Sequence, residues 1–184
     1  MPNDSGNTTL TQPVNQNDHT AGNSNAPVTL VEYGDYECPA CGAAYPNVKG
    51  VRGKLGDQVR FVFRNFPLTQ MHPYAFQAAE TAESAGGQGK FWEMHDFLYE
   101  HQQEEAYAQP RKDAENVGLN MSKFEQDMNN HVYAQKIEED MRSGMENGIP
   151  GTPTFFINGQ MYNGSYDSQS LLSALQQASN TNQR

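Results

Sequence analysis

The fold is decided by residues 28–41, which read VTLVEYGDYECPAC. The first six of these residues are mostly β-branched or apolar, and they predict a strand buried on both faces of a sheet. A glycine and an aspartate then break the run, and Pro39 suits the first position of a helix that continues to about Leu55. The cysteines Cys38 and Cys41 therefore lie where a buried strand gives way to a helix.

The chain beyond this stretch alternates between β and helical character. A second β-rich run at residues 59–64 completes a strand, helix and strand, which is the core of a parallel α/β unit. Residues 72–146 carry only helical patterns. β character returns at residues 154–157, and Asn158-Gly159 predicts a two-residue hairpin turn before a last amphipathic helix.

The spacing of the two cysteines indicates redox chemistry. Two sulfurs about one helical turn apart are close enough to bridge, and the first is presented at the positive end of the helix dipole. That position favours the thiolate of Cys38, which suits it as an attacking or leaving sulfur at neutral pH. Cys41, one turn into the helix, is shielded and suited to resolve a mixed disulfide. The motif predicts a thiol–disulfide redox centre.

Two other interpretations of the cysteine pair, a zinc site and a structural disulfide, have less support. Half of a zinc site would need further ligands, and the sequence has no second cysteine pair and no paired-histidine run. A purely structural disulfide across so short a loop would remove little chain entropy from the unfolded state. We therefore expect no metal and no cofactor other than the redox-active Cys38–Cys41 disulfide itself.

Composition narrows the class of protein. The chain has 184 residues, which fits one domain or one domain with an insertion, and its 12 basic and 22 acidic residues give a net charge of −10. This charge argues against a nucleic-acid or anionic-membrane surface. No apolar run approaches the roughly 18 residues of a membrane helix, and no charged-then-apolar leader marks a secretory signal. Confinement of both cysteines to one motif favours an oxidising compartment.

Residues 1–25 are rich in Asn, Thr, Gln, Gly and Ser and show no sustained period. We interpret them as a flexible polar leader, with order beginning near Ala26. The leader could tether the domain to an anchor, although an ordinary flexible terminus is the simpler interpretation.

A second informative element is the segment that precedes residues 154–157. It reads GTP at residues 151–153, and a proline at that place is tolerated at the start of a strand. The Gly-Thr approach suits a tight turn that could contain a cis peptide bond between Thr152 and Pro153. Pro150 is the alternative position for such a bond.

Together these elements resemble the DsbA-like disulfide oxidoreductases of the thioredoxin superfamily. The resemblance rests on VEYGDYECPAC at residues 31–41, GKFWEMH at 89–95 and GIPGTPTFFING at 148–159. It implies an α/β thioredoxin fold, a mixed central sheet flanked by helices, with an inserted all-helical subdomain. The implied thioredoxin-fold domain comprises residues 26–71 and 148–180, and the insertion comprises residues 72–147.

The resemblance also implies roles for individual residues. Cys38 would be the accessible nucleophile, Cys41 its buried partner, and Pro153 the cis proline beside the disulfide. Thr152 would face the sulfurs and pair through its backbone with an extended client segment. Glu32 matches a buried acid of the family that could relay a proton to or from Cys41. An exposed charge at the end of a strand is an equally supported interpretation of Glu32.

Two departures from the enteric members of the family bear on redox potential. Those members carry a histidine in the dipeptide between the cysteines and a bulky apolar residue before the cis proline, whereas this chain has Ala40 and Thr152. We therefore predict a milder oxidant, with a potential below the roughly −120 mV of DsbA.

The function implied by the resemblance is the introduction of disulfide bonds into exported proteins, outside the cytoplasm. Its partners would be unfolded or folding client proteins with free thiols and a membrane quinone-linked protein that reoxidises the centre. The sequence leaves open a reductase or isomerase that uses the same centre in the other direction. A non-catalytic peptide-binding module of chaperone type and a metal carrier are further alternatives.

Overall fold

The computed structural model describes residues 8–183. This part of the chain contains a five-stranded mixed sheet, with the strands β1 His19–Gly22, β2 Val28–Gly34, β3 Val59–Asn65, β4 Thr154–Ile157 and β5 Gln160–Tyr162. The strand order is β1-β3-β2-β4-β5. Strands β2 and β3 are parallel, and the other neighbouring pairs are antiparallel.

The α-helices of the described residues are α1 Pro39–Leu55, α2 Ala75–Gly86, α3 Phe91–Glu100, α4 Pro110–Val117, α5 Met121–Asn129, α6 Ala134–Glu146 and α7 Ser168–Asn182. Helices α2 to α6 follow one another between β3 and β4, while α1 and α7 flank the sheet segments. The predicted fold class, a mixed sheet flanked by helices with an inserted helical segment, is confirmed.

Strand β2 lies at the centre of the sheet and is buried on both faces, as its apolar run predicts. Leu30 pairs with Phe61 of β3, and both belong to the larger core under α1. Val31 faces the opposite side of the sheet and packs in a smaller cluster with Leu10 and Phe156. Because β2 is held by strands on both sides, its carboxyl end places the residues that precede α1 at a fixed point.

The predicted hairpin turn between β4 and β5 is also confirmed. Asn158 and Gly159 have φ angles of 48° and 79°. Both values are positive, as a two-residue turn of type I′ requires, and asparagine and glycine are the residues that tolerate them.

The prediction of a flexible leader over residues 1–25 is wrong for residues 8–25; residues 1–7 lie outside the described part. Strand β1 of this segment pairs antiparallel with β3, and Leu10 is buried on the face of the sheet. The segment also contacts the opposite edge of the sheet, at β5 and its turn. There Leu10 N donates to the Gly159 carbonyl at 2.7 Å, and Thr9 pairs with Gln160.

The segment of residues 8–25 has a defined structure because of a buried ion pair. Arg64 of β3 is 1% exposed, and its guanidinium donates two hydrogen bonds to the Asp18 carboxylate, at 2.8 and 2.9 Å. A buried arginine needs such a partner, so the tertiary contact fixes a segment whose own composition predicts no structure.

Within residues 8–183, no helix combines the length and the apolar character needed to cross a membrane.

Candidate redox site

Cys38 occupies the N-cap position of α1, and Cys41 lies one turn inside the helix. The backbone of Cys38 is extended, and Pro39 takes the first helical position, as predicted. Both cysteines are unpaired, with Cys38 6% exposed and Cys41 fully buried. Cys38 is therefore the less buried of the two, and its Sγ lies 3.6 Å from the Thr152 carbonyl oxygen.

The environment lowers the pKa of the Cys38 thiol from 9.0 to about 5. The largest cause is a hydrogen bond with the Cys41 side chain, and burial acts in the opposite direction. Hydrogen bonds with Thr152 and with the backbone N–H groups of Cys41 and Ala40 also favour the thiolate. At neutral pH Cys38 is a thiolate.

Cys41 shows the opposite behaviour. Burial raises its pKa well above the ordinary 9.0, and the charges of Glu32 and Cys38 act in the same direction. The two sulfurs therefore differ in protonation at neutral pH, with a thiolate at Cys38 and a thiol at Cys41. A pair of this kind can attack, leave and resolve through different sulfurs.

Glu32 lies on β2, opposite Phe155 of β4, and is 3% exposed. The interpretation as an exposed charge at the end of a strand is therefore wrong. Burial raises the pKa of its carboxyl from 4.5 to about 8, and the nearby Arg52 guanidinium partly opposes this effect. At neutral pH Glu32 is mainly protonated, and its electrostatic contacts include both cysteines.

The loop before β4 carries the other two predicted site residues. The peptide bond between Thr152 and Pro153 is cis, and it is the only cis bond in the described part of the chain, so the alternative at Pro150 is wrong. The Thr152 hydroxyl oxygen is buried, and it lies close enough to Cys38 to favour the thiolate. The fold thus brings Cys38, Cys41 and Thr152 together, with Glu32 behind the sulfurs.

Three further residues at the site were not predicted from the sequence. Asp35 accepts hydrogen bonds from the turn before Cys38, and His72 contacts the same carboxylate. Gln102, in the helical insertion, donates from Nε2 to the carbonyl oxygens of Tyr36 and Cys38 at 2.9 and 3.0 Å. Asp35 adjoins the motif and could have been considered, but no pattern in the sequence marks His72 or Gln102.

Comparison with known proteins supports this architecture. A thioredoxin family profile, Thioredoxin_4, matches residues 14–177. The chain is 46% identical over 163 residues to the Na⁺/H⁺ antiporter NhaA 1 of Salinispora arenicola, covering 88% of this chain and 24% of that protein. An antiporter NhaA 1 of Mycobacterium sp. (strain KMS) is 40% identical over 171 residues, covering 91% of this chain and 28% of that protein. The chain thus spans about a quarter of the length of the curated relatives it matches.

Solved structures agree with the family profile. A thioredoxin-like oxidoreductase from Silicibacter pomeroyi is 27% identical, with a TM-score of 0.76 over 89% of this chain and 93% of that chain. BdbD from Bacillus subtilis is 21% identical, with a TM-score of 0.81 over 95% and 99%. Wolbachia pipientis α-DsbA1 is 20% identical, with a TM-score of 0.80 over 94% and 96%. The chain belongs to the thioredoxin family, and its architecture is that of the DsbA-like thiol–disulfide oxidoreductases.

Proposed function

We propose that the chain is a thiol–disulfide oxidoreductase that introduces disulfide bonds into exported proteins through Cys38 and Cys41. The observation that carries the proposal is the contrast between the two sulfurs. The pKa of Cys38 is lowered to about 5, whereas that of Cys41 is raised well above 9.0. A stabilised thiolate at Cys38 favours the reduced form of the enzyme, and this makes the oxidised form a donor of disulfides.

The exchange begins when a client thiolate attacks Cys38 Sγ of the oxidised pair. The Cys38–Cys41 bond breaks, its electron pair goes to Cys41, and a disulfide forms between the client and Cys38. A second client thiolate then attacks the client sulfur, and Cys38 leaves as a thiolate. The client loses two electrons and gains one disulfide, while the enzyme gains the two electrons.

Glu32 fits the first of these steps. A Cys41 sulfur that leaves inside the protein needs a proton, because burial disfavours its thiolate. The Glu32 carboxyl has a pKa of about 8 and so holds a proton at neutral pH. We propose that Glu32 supplies this proton and takes it back when the centre is reoxidised.

Clients would be bound beside Cys38 in an extended conformation. The Thr152 carbonyl oxygen faces Cys38 Sγ, so backbone pairing at Thr152 would bring a client segment to the sulfur. The loop that follows β3 adds an exposed apolar surface, where Met71 is 71% exposed and Tyr74 is 45% exposed. Unfolded proteins with free thiols suit such a surface.

Two parts of the proposal rest on resemblance to the DsbA-like proteins. They are the location outside the cytoplasm and the membrane quinone-linked partner that reoxidises the centre. A reductase or isomerase would use the same two sulfurs in reverse, and a chaperone-like module would bind clients without exchange.

Refolding of a reduced, unfolded client tests the direction. The oxidised protein should accelerate the appearance of native disulfides stoichiometrically, or catalytically when oxidised glutathione is supplied. Activity confined to the reduction of insulin by a thiol donor would contradict the proposal. The potential, measured by equilibration with glutathione, should lie below about −120 mV.

Two matched substitutions separate catalysis from binding. Cys41→Ser, with Cys38 first converted to its mixed disulfide with glutathione, should exchange the glutathione for the thiolate of a client that has a single thiol, and the client–Cys38 disulfide should be visible on a non-reducing gel. Cys38→Ser should trap no client and should abolish turnover. A Cys38→Ser variant that retains full activity would identify a binding module instead.

The longer relatives are named Na⁺/H⁺ antiporters, yet the chain matches only about a quarter of them. We propose that this quarter is a thioredoxin-fold module within those proteins, and we do not extend ion transport to this chain. The matching quarter of the Salinispora arenicola protein, expressed alone, should exchange disulfides with the same clients. Failure of that fragment to react with thiols would contradict the proposal.

A further inference from the structure

The carboxylate of Asp35 joins the active-site turn to a distant part of the chain. Its Oδ1 accepts a hydrogen bond from Glu37 N at 2.8 Å. Its Oδ2 accepts one from Leu68 N at 2.9 Å and lies 2.8 Å from Nδ1 of His72. The backbone of the same residue accepts from Cys38 N at 3.1 Å. Asp35 is 2% exposed, so these contacts form in a buried setting.

The loop of residues 66–74, between β3 and α2, is thereby held against the redox centre. A second carboxylate adds to the attachment, because Glu37 Oε2 accepts a hydrogen bond from Tyr74 N at 2.7 Å. Both acidic residues belong to the turn immediately before Cys38. Asp35 thus contacts both His72, through its carboxylate, and Cys38, through its backbone carbonyl, and it holds His72 near the redox centre.

The electrostatic surroundings of His72 favour its protonated form. Its side chain is only 14% exposed, and burial lowers its pKa. The hydrogen bond and the charge of Asp35, together with the charges of Cys38 and Glu37, outweigh burial and raise the pKa above the ordinary 6.5. Asp35, Glu37 and Cys38 are the charged groups that face His72 from the active-site turn.

An interaction between two charges stabilises both of them equally. The thiolate of Cys38 that favours the imidazolium is therefore favoured by the imidazolium in return. The dipeptide between the cysteines offers no such charge, since it consists of Pro39 and Ala40. We propose that His72, held by Asp35, is a positioning residue that supplies a positive charge to the Cys38 thiolate from outside the CxxC motif. The inference rests on the proposed thiol–disulfide chemistry and assigns a residue to it.

Variants of the full chain test the inference. His72→Gln removes the charge and keeps a donor for Asp35. The matched control is His131→Gln, which removes a histidine whose Nδ1 lies 2.8 Å from Glu80 Oε1 in the helical insertion. The ultraviolet absorbance of the thiolate, followed against pH, reports the pKa of Cys38. We expect His72→Gln to raise the pKa of Cys38 by about half a unit to one unit. Loss of a positive charge without a carboxylate partner would raise this pKa further, because Asp35 offsets part of the charge of His72.

In the same variant, the equilibrium constant for reduction of the Cys38–Cys41 disulfide by glutathione should fall by about 3- to 10-fold, because the reduced form loses stability. His131→Gln should change neither quantity, and His72→Lys should restore both towards their original values because it restores the charge. A merely structural role for His72 would change stability but not the pKa of Cys38, and an unchanged pKa in His72→Gln would overturn the inference.

A measurement on the unaltered protein makes the test independent of folding of the variants. NMR titration of His72 should give a higher pKa in the reduced protein than in the oxidised protein, because only the reduced protein has the thiolate. Equal values in the two states would overturn the inference. Oxidation of clients by the unaltered protein reports separately on the proposed function.

Discussion

The side chain of Glu32 makes the folded state sensitive to pH. Its carboxyl has a pKa of about 8 in the folded protein and 4.5 in an ordinary setting. Since the unfolded chain releases this proton first, Glu32 lowers the free energy of unfolding progressively as the pH rises from about 4.5 to about 8.

Glu32→Gln should therefore stabilise the protein at neutral pH. The amide cannot ionise, whereas the carboxyl ionises in the unfolded chain. The free energy of unfolding of the variant minus that of the unaltered protein should therefore be roughly 2–3 kcal/mol larger at about pH 7 than at about pH 4, where both side chains are neutral. Urea unfolding at a series of pH values measures this. A difference between the two proteins that stays constant from about pH 4 to about pH 8 would contradict it.

The sequence could predict part of the site at the level of residues. Cys38, Cys41 and Pro153 lie in short motifs whose local pattern indicates their chemistry or conformation. His72 and Gln102 reach the centre only through tertiary contacts, with Asp35 and with the carbonyl of Cys38. No local pattern encodes such contacts, so these residues appear only once the fold is known.

Strand β1 depends on a contact made outside the strand itself. The ion pair between Asp18 and Arg64 holds this segment against β3, and both side chains are almost fully buried. The composition of residues 19–22 favours no strand, which explains why the sequence pattern missed it. The apolar runs of β2 and β3, by contrast, predict their own burial.

Asp18→Asn should destabilise the protein by about 3 kcal/mol, because it leaves the buried Arg64 guanidinium without a countercharge. Glu115→Gln is the matched control, since it breaks an exposed pair with Arg111 on α4 and should change stability by less than about 1 kcal/mol. Chemical unfolding measures both. Similar losses of stability in the two variants would show that the buried pair at Asp18 contributes no more than an exposed pair.

The ion pair between Asp18 and Arg64 also predicts that the protein loses stability in acid. Although burial acts to raise the pKa of Asp18, the hydrogen bond and charge of Arg64 lower it below the ordinary 3.8. Its contribution to stability is therefore present above about pH 4 and is lost as the pH falls through the lowered value.

Helix α1 contacts the helical insertion through a residue without a side chain. A Cβ on Gly42 would collide with the Gln102 amide, which donates to the carbonyls of Tyr36 and Cys38. Gly42→Ala should displace Gln102 and cost about 1–3 kcal/mol of stability, because those hydrogen bonds are lost. Gly50→Ala, in the same helix with open space around it, should instead stabilise by about 0.5–1 kcal/mol. Thermal unfolding distinguishes the two, and equal effects would contradict the role of Gln102.

At the scale of the whole molecule, the redox state and the stability of the fold are linked. The folded reduced protein holds Cys38 as a thiolate with a pKa of about 5, whereas an ordinary cysteine has a pKa of 9.0. This lowered pKa adds stability to the reduced form, fully present above about pH 9 and lost as the pH falls towards 5. The oxidised protein has no such group.

The difference in free energy of unfolding, reduced minus oxidised, should therefore increase with pH between about 5 and 9, by up to about 1.4 kcal/mol per unit. At about pH 7 the thiolate contributes roughly 2–3 kcal/mol. Denaturation of both forms across this range measures the slope. A difference independent of pH would contradict the lowered pKa of Cys38.

Residues 8–22 supply one outer strand of the sheet, β1, and cover the other outer strand, because residues 8–10 bond to β5 and its turn. A sheet with an unpaired outer strand invites other chains to add to it and aggregate. An enzyme that handles unfolded clients would meet many such chains. Because residues 8–10 of its own chain cover β5, that edge of the sheet is protected from pairing with clients, and the proposed pairing of an extended client would take place at Thr152 instead.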